Sequence, residues 1–482
     1  MTEPVLLAYG DRQYTRVDLD ALTSGLATIL EQRGVRPGDR VALMSSNRPE
    51  FVVAMRAIWG LGAAVVLLSS SWKRAEVEHA LALTQPSHAV GDNAVLAELM
   101  PMLHLDEPVT PCLRDFNTPD PSSDALFVFS SGTTGMPKAV RHTHGGFAAA
   151  VAHWRDALSM TSADRMQIMT PPSHILGLLN IATALEAGAW IRLHQRFDVD
   201  AMLSHIESDR ITIEMAVAPI ALALAAHPRL ESYDLSSLRY VMWCATPVTR
   251  TVADAVTERV GVSWLTAYGA SELPVISCNT LEGTRLDTVG RAVPGVRIRI
   301  ASPETGKPLS PGENGEIQVF SPSAMAGYLP EDETASAFSD GWYRTRHRPS
   351  RRRRVAPNHR SLKGNDQGAR FPGGAGRDRG RVARPSRRGR LRGLRRPRRG
   401  RGRGRCRRRD AFWHRRGRRA RRTRRRAVGV VQTAESRGLR PRDSPSPFRK
   451  GAEASAKGGR DERLREEQRA PVSGCTKNRG HQ

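Results

Sequence analysis

"ALFVFSSGTTGMPKAVRHTHGG", residues 125–146, is the stretch that decides how the chain is read. Leu126 to Phe129 form a short apolar run of the kind found in buried strands. The run feeds a loop of Ser130, Ser131, Gly132, Thr133, Thr134 and Gly135, followed by Pro137 and Lys138. Small hydroxyl residues and glycines let backbone N–H and side-chain O–H groups converge on phosphate oxygens, and a lysine adds a mobile positive charge. The loop is not the Walker pattern, because GxxxxGK[ST] is absent and serines and threonines stand where that motif has glycines. A Ser/Gly linker is the plain alternative, and the string as a whole argues against it.

On the amino-terminal side, helical and strand patterns alternate. Asp18 to Arg33 carries Leu19, Leu22, Leu26, Ile29 and Leu30 at helical spacing and stops at Gly34, after which "DRVALMSS" reads as a buried strand. The unit repeats as a helix from Pro49 to Trp59 and a strand from Ala63 to Leu68. Such alternation predicts an α/β fold of mainly parallel sheets covered by helices. A second series runs on the carboxy-terminal side through "AVRHTHGGFAAAVAHWRDAL", "ITIEMAVAPIALALAAH", "LRYVMWCATPVTRTVADAVTERV" and "WLTAYGASE". From Gly290 the pattern shortens into strands punctuated by Gly and Pro, which predicts a small β-barrel-like or meander subdomain.

"SSGTTGMPKAV" resembles the phosphate-binding loop of the AMP-forming adenylate-forming enzymes, the superfamily of acyl-CoA synthetases, 4-coumarate-CoA ligases, luciferases and peptide-synthetase adenylation domains. Further likenesses follow in the family's order. "PPSHILGL" (171–178) resembles the segment whose histidine borders the acyl pocket, which implies that role for His174. "CATPV" (244–248) resembles the adenine-binding turn GAAPL, with Cys244 and Thr246 as departures, and implies nucleotide contacts for Ala245, Thr246 and Pro247. "AYGASE" (267–272) resembles YGxTE and brings in Tyr268, Gly269, Ala270, Ser271 and Glu272. "VGRAVPGVRIRI", "GENGEIQV", "AMAGYLPEDETASAF" and "DGWYRT" then match in sequence.

The resemblance implies that Tyr268 stacks on adenine, Ser271 bonds the α-phosphate, Lys138 and the loop hydroxyls neutralise phosphate charge, and Thr134 and Glu272 hold Mg²⁺. It also implies a reaction in two halves, with ATP and coenzyme A as co-substrates. A carboxylate attacks the α-phosphorus to give acyl-AMP and pyrophosphate, and a thiol then displaces AMP. In such chemistry the protein mainly positions groups and neutralises developing charge. Taken alone, Tyr268 reads as a core aromatic and His174 as a satisfied polar residue.

The resemblance ends at Thr345, where the chain changes character. Residues 1–345 hold 27 Lys+Arg against 38 Asp+Glu, a net −11, whereas residues 346–482 hold 48 against 10, a net +38. The net charge of +27 is therefore the property of a segment rich in Arg, Gly and Pro, too poor in apolar residues to order itself. The expected organisation is an adenylate-forming N-terminal domain over 1–345 and a disordered Arg-rich tail over 346–482. That tail stands in place of the family's small α+β carboxy-terminal domain. Family members continue after this point with Gly-Asp, whose aspartate binds the ribose, then a hinge and a mobile domain carrying a catalytic lysine; here Arg346 and His347 stand where Gly-Asp belongs.

Back-translated and read one base further on, the tail regains family character under suitable wobble bases. "RHRPSRRRR" becomes "DIGRRDDGG", the stretch from Asn358 becomes "ITGRLKEMIKVHGFQVAPAEIEAVLLAHP", and "PFRKGAEA" becomes "PSGKVLRR". The expectation is a gene that has lost two bases, or the equivalent, after the Thr345 codon. A basic tail evolved for nucleic acid is the alternative, since Arg/Gly-rich segments bind phosphate backbones without sequence readout.

Five cysteines without CxxC spacing argue against a zinc site or disulfide framework and fit a reducing cytosol. No signal-peptide pattern opens the chain, and the longest apolar stretches are too short for a bilayer or are broken by Glu186. The expectation is a cytoplasmic, at most membrane-peripheral, acyl-CoA synthetase acting on a fatty or related acid, impaired by its tail. Loading of a carrier protein and a non-catalytic polyanion binder are the alternatives.

Overall fold

The computed structural model describes residues 3–130, 137–283 and 285–347. The segment expected to be a disordered tail lies outside the described residues from position 348 onward. Within the described part, two large sheets carry the fold, as the alternating pattern predicts. The first has nine strands in the order Arg291–Ala292, Leu273–Cys278, Trp264–Ala270, Tyr240–Trp243, Ile213–Ala216, Arg165–Ile168, Trp190–Leu193, Val5–Tyr9 and Arg12–Thr15. The second has seven: Gly327–Leu329, Lys138–Thr143, Asp124–Ser130, Ala64–Leu68, Arg40–Met44, His88–Gly91 and Met102–His104. Pairing inside both is parallel, with antiparallel strands at both edges of the first and at the Gly327–Leu329 edge of the second.

Local signals fix the elements. The first helix runs Arg16–Gln32 because Thr15 caps it, its hydroxyl accepting from Asp18 N while the Asp18 carboxylate accepts from Thr15 N. The second, Pro49–Gly60, starts with a proline whose missing N–H costs nothing in the first turn. The strand Ala64–Leu68 is buried along its whole length, the signature of a parallel strand covered on both faces. These bounds lie within a residue or two of the expected ones.

Five layers follow from where the apolar faces go. One core joins both sheets through helices Arg16–Gln32, Pro49–Gly60, His144–Leu158 and Ile175–Ala187, which contribute Leu26, Phe51, Trp154 and Leu178. A second core covers the outer face of the nine-stranded sheet with helices Val199–Ser208, Ala218–Ala226 and Arg250–Val260. A third covers the seven-stranded sheet with Arg74–Thr84 and Ala94–Leu99. A fully buried leucine such as Leu7 or Leu43 stabilises each core by about 2 kcal/mol. The small subdomain is an open antiparallel sheet of four strands, Arg297–Ala301, Glu316–Phe320, Trp342–Arg344 and Phe338–Ser339, where a β-barrel-like or meander subdomain was expected. Four short strands are too few to close around a filled interior. Among the described residues, no helix is long and apolar enough to cross a membrane.

The nine-stranded sheet also buries a polar chain. Gln167 Nε2 donates to Glu214 Oε2 at 2.6 Å, and Gln167 Oε1 lies 2.8 Å from His194 Nε2. Burial pushes the Glu214 carboxyl up to about 8. Burial, with His205 and Arg192 nearby, pushes the His194 imidazole down to about 4. A carboxyl raised in the fold contributes stability that is whole below its ordinary value and lost as pH rises toward 8; a lowered imidazole contributes stability that is lost as pH falls toward 4. Glu214→Gln is accordingly expected to raise the unfolding free energy by about 4 kcal/mol more at pH 8 than at pH 4. Parallel unfolding curves at both pH values would count against it.

Candidate active site

The strands Tyr240–Trp243 and Trp264–Ala270 are parallel neighbours, with Trp243 opposite Thr266. Their carboxyl ends therefore present two adjacent segments, the turn after Trp243 and the stretch from Ala267 onward. Ligands of open α/β sheets bind at such strand ends.

In the first segment Ala245 has φ +61°, a left-handed conformation uncommon for a residue with a Cβ, and Ala245 and Pro247 are exposed. Thr246, one of the two departures from the family turn, is used structurally. Its Oγ1 accepts from Ala218 N at 3.1 Å and from Trp243 Nε1 at 3.0 Å, which ties the turn to the neighbouring helix. Cys244 is buried and its thiol is pushed up to about 12, so it packs as a small apolar residue.

In the second segment the chain reverses between Ala270 and Leu273, and Ser271 and Glu272 form the tip. Gly269 sits where a Cβ would lie 2.0 Å from the Pro274 carbonyl oxygen, so only glycine lets the two strands close. Tyr268 is 4% exposed, and burial holds its phenol above the usual range. Its hydroxyl lies 2.6 Å from His347 Nδ1. Glu272 is 9% exposed, its Oε1 accepting from the Tyr328 hydroxyl at 2.8 Å and its carbonyl from Met325 N at 2.8 Å.

The seven-stranded sheet supplies the other half. Asp124–Ser130 and Lys138–Thr143 form an antiparallel hairpin in which Ser130 pairs with Lys138. Ser131, Gly132, Thr133, Thr134 and Gly135 lie outside the described residues. Lys138 Nζ is 2.7 Å from Glu333 Oε2 and 5.8 Å above the Tyr328 ring. Two residues absent from the sequence expectations connect the halves. His142 lies on the hairpin strand, fully buried and pushed down to about 4 by burial, so it is neutral and donates from Nε2 to the Ser271 carbonyl at 2.7 Å. Tyr328, on the strand paired with Lys138–Thr143, reaches Glu272. Nothing in the sequence marked His142; Tyr328 sits in a stretch noted only for its likeness.

His174 stands at the N-cap of helix Ile175–Ala187, exposed, its imidazole lowered by partial desolvation. For a metal, Glu272 offers a hard carboxylate oxygen, and no group of three or more His, Cys, Asp or Glu able to hold an ion exists among the described residues. A single carboxylate is the kind of protein donor that Mg²⁺ takes beside waters and phosphate oxygens.

The described chain ends on an informative bend. Thr345 Oγ1 donates to the Ile317 carbonyl at 2.8 Å, Ile317 N donates to the His347 carbonyl at 2.9 Å, and Arg346 between them has φ +58°. A left-handed residue in such a bulge is ordinarily glycine. Arg346→Gly is expected to raise the urea midpoint by the equivalent of ~0.5 kcal/mol, since relief of Cβ strain outweighs the added freedom of the unfolded chain. A lowered midpoint would contradict a strained Arg346.

A family model described as "AMP-binding enzyme" matches residues 2–329. The chain belongs to the AMP-binding enzyme family. Feruloyl-CoA synthase of an Amycolatopsis species is 33% identical over 355 residues, covering 70% of this chain and 70% of that protein. The 4-coumarate–CoA ligase 1 of Solanum tuberosum is 31% identical over 370 residues, covering 70% and 68%. Among solved structures, ATP-bound MatB from Rhodopseudomonas palustris superposes with a TM-score of 0.67 at 25% identity, covering 72% of this chain and 73% of that one. The amide bond synthetase McbA from Marinactinospora thermotolerans gives 0.65 at 29% identity, covering 72% and 74%. By lineage, this AMP-binding chain is an acid–thiol ligase.

Proposed function

We propose that residues 1–345 form the nucleotide and acyl site of an ATP-dependent, AMP-forming acid–CoA ligase. The observation that carries the reading is the joining of the Ser271–Glu272 tip to the phosphate-loop hairpin by His142 and Tyr328. It sets Lys138 over the ring of Tyr328 and Glu272 on its hydroxyl, a cation and a carboxylate beside one tyrosine, as a triphosphate and its cation need. Tyr268 and the Ala245–Pro247 turn hold adenine, Ser271 bonds the α-phosphate, and Lys138 with the loop hydroxyls takes phosphate charge. Glu272, with Thr134, would hold Mg²⁺, which when bound neutralises phosphate oxygens. The acid's carboxylate attacks the α-phosphorus and pyrophosphate leaves; in a chain with the complete carboxy-terminal domain, the coenzyme A thiol would then displace AMP to form the thioester.

The acid is read as an aromatic carboxylate in place of the fatty acid first expected. Support comes from the relatives' names, feruloyl-CoA synthase, 4-coumarate–CoA ligase and the indoleacetate–CoA ligase of Aromatoleum aromaticum. His174 borders its pocket. Beyond Thr345 the chain is read as out of frame and the second half-reaction as lost. Two observations support this: Arg346 occupies a glycine conformation where the family has glycine, and about three tenths of this chain and of the feruloyl-CoA synthase go unmatched alike. Calorimetric titration of the full chain with ATP is the test. Binding that strengthens with Mg²⁺ is expected; no binding, or binding indifferent to Mg²⁺, would overturn the reading.

A further inference from the structure

The segment from Gly327 to Ala337 lies across the phosphate-loop hairpin as a strap. Its strand, Gly327–Leu329, pairs antiparallel with Lys138–Thr143, Tyr328 opposite Val140 and Leu329 opposite Ala139. Its helix, Asp332–Ala337, is pinned back on that strand because Tyr328 N donates to Thr334 Oγ1 at 2.8 Å. A second link, Arg141 to Glu331 at 3.3 Å, fastens the strap from the other side. Val140 and Tyr328 are opposite each other and Lys138 is two residues along the same strand, so all three side chains share one face. Lys138 consequently rises over the Tyr328 ring, and Glu333, one turn further on, closes on its ammonium at 2.7 Å. The Lys138 side chain is 14% exposed and that of Glu333 31%, so the carboxylate covers the ammonium from the solvent side.

This geometry carries a consequence for an anionic ligand. Glu333 lies against the Lys138 ammonium, and a phosphate oxygen that binds the same ammonium competes with it. The carboxylate of Glu272 is instead held by the Tyr328 hydroxyl at 2.8 Å. We infer that Glu333 is a positioning residue, the resident counter-ion of Lys138, which holds the lysine aimed into the nucleotide site and is displaced when a phosphate group of the nucleotide binds. The inference rests on the reading of this site as a nucleotide site. Glu333 thereby sets the affinity for the triphosphate without touching the reacting atoms, and it keeps Lys138 ordered while the site is empty.

Two readouts on the full chain test this. The first follows acetylation of Lys138 by acetic anhydride, quantified by peptide mass spectrometry against Lys307 as an internal reference. Glu333→Gln is expected to raise the Lys138 to Lys307 ratio about threefold, the scale of a partly exposed ion pair, and Glu333→Asp to return it toward the parent value. The second is titration with ATP in chelator. Glu333→Gln is expected to bind about threefold more tightly than the parent, because nothing remains to be displaced. An unchanged labelling ratio would overturn the pairing. A raised ratio with unchanged or weaker ATP affinity would overturn displacement and leave Glu333 a structural partner only. A raised ratio with ATP bound by neither protein would leave the pair standing and sink the nucleotide reading instead.

Discussion

A chain rebuilt beyond Thr345 in the second frame, beginning with Arg346→Gly and His347→Asp, forms acyl-CoA at least ~10²-fold faster than the chain as it stands. The expectation comes from what is missing. On the proposed reading, residues up to Thr345 supply the acyl pocket, the adenine turns, Lys138 and Glu272, but thioester formation in the resembling enzymes needs a hinge and a mobile domain bearing a lysine. The tail offers neither in its present frame, whereas the second frame contains "ITGRLKEMIKVHGFQ" and "PSGKVLRR". His347 adds a local obstacle, since its imidazole already occupies the Tyr268 hydroxyl at 2.6 Å, at the place a ribose aspartate would take. Misplacement of a reacting group by an ångström costs on the order of 10² in rate, and absence of the whole domain costs more. The comparison is made as thioester formed from ATP, coenzyme A and an aryl carboxylate. Equal rates from the two chains would remove the frame account.

The second large effect belongs to Glu272. In the rebuilt chain, Glu272→Gln lowers acid-dependent exchange of pyrophosphate into ATP by ~10²-fold or more, the scale of losing one preorganised charge in a closed site. The amide oxygen can still accept from the Tyr328 hydroxyl and the backbone link to Met325 is untouched, so the fold keeps its thermal midpoint. In the chain as it stands the same substitution leaves binding of metal-free ATP in place and abolishes the increment due to Mg²⁺. A variant that keeps the full Mg²⁺ increment would show that the cation is held elsewhere.

Much of the fold could be read in the sequence because its signals are local. The helix at Arg16–Gln32 follows from a five-leucine/isoleucine stripe and the Thr15–Asp18 cap, and the buried strand Ala64–Leu68 from an unbroken apolar run. The segments of the site were legible for the same reason: each of "SSGTTGMPK", "CATPV" and "AYGASE" is a contiguous strand-end string. What tied them together was not legible. His142 meets Ser271 across 129 positions and Tyr328 meets Glu272 across 56, and neither partner carries a mark of the other. Thr246 was expected as a nucleotide contact, and its hydroxyl turns out to fasten the turn to Ala218 and Trp243, a use visible only once strand and helix are packed. The small sheet was left as barrel-like or meander because Gly- and Pro-punctuated strands show that strands are there and not whether they close. Arg346 shows the reverse case, where the backbone at φ +58° asks for a residue that the sequence does not supply.

Peptide mass spectrometry of the native protein from its source cells tests the central claim most directly. The account predicts second-frame peptides such as "VHGFQVAPAEIEAVLLAHP", joined in one polypeptide to the body that carries Lys138 and Glu272. Peptides of the reported frame, such as "GNDQGAR" at positions 364–370, found without any from the second frame, would contradict it and make the arginine-rich segment a real part of the enzyme.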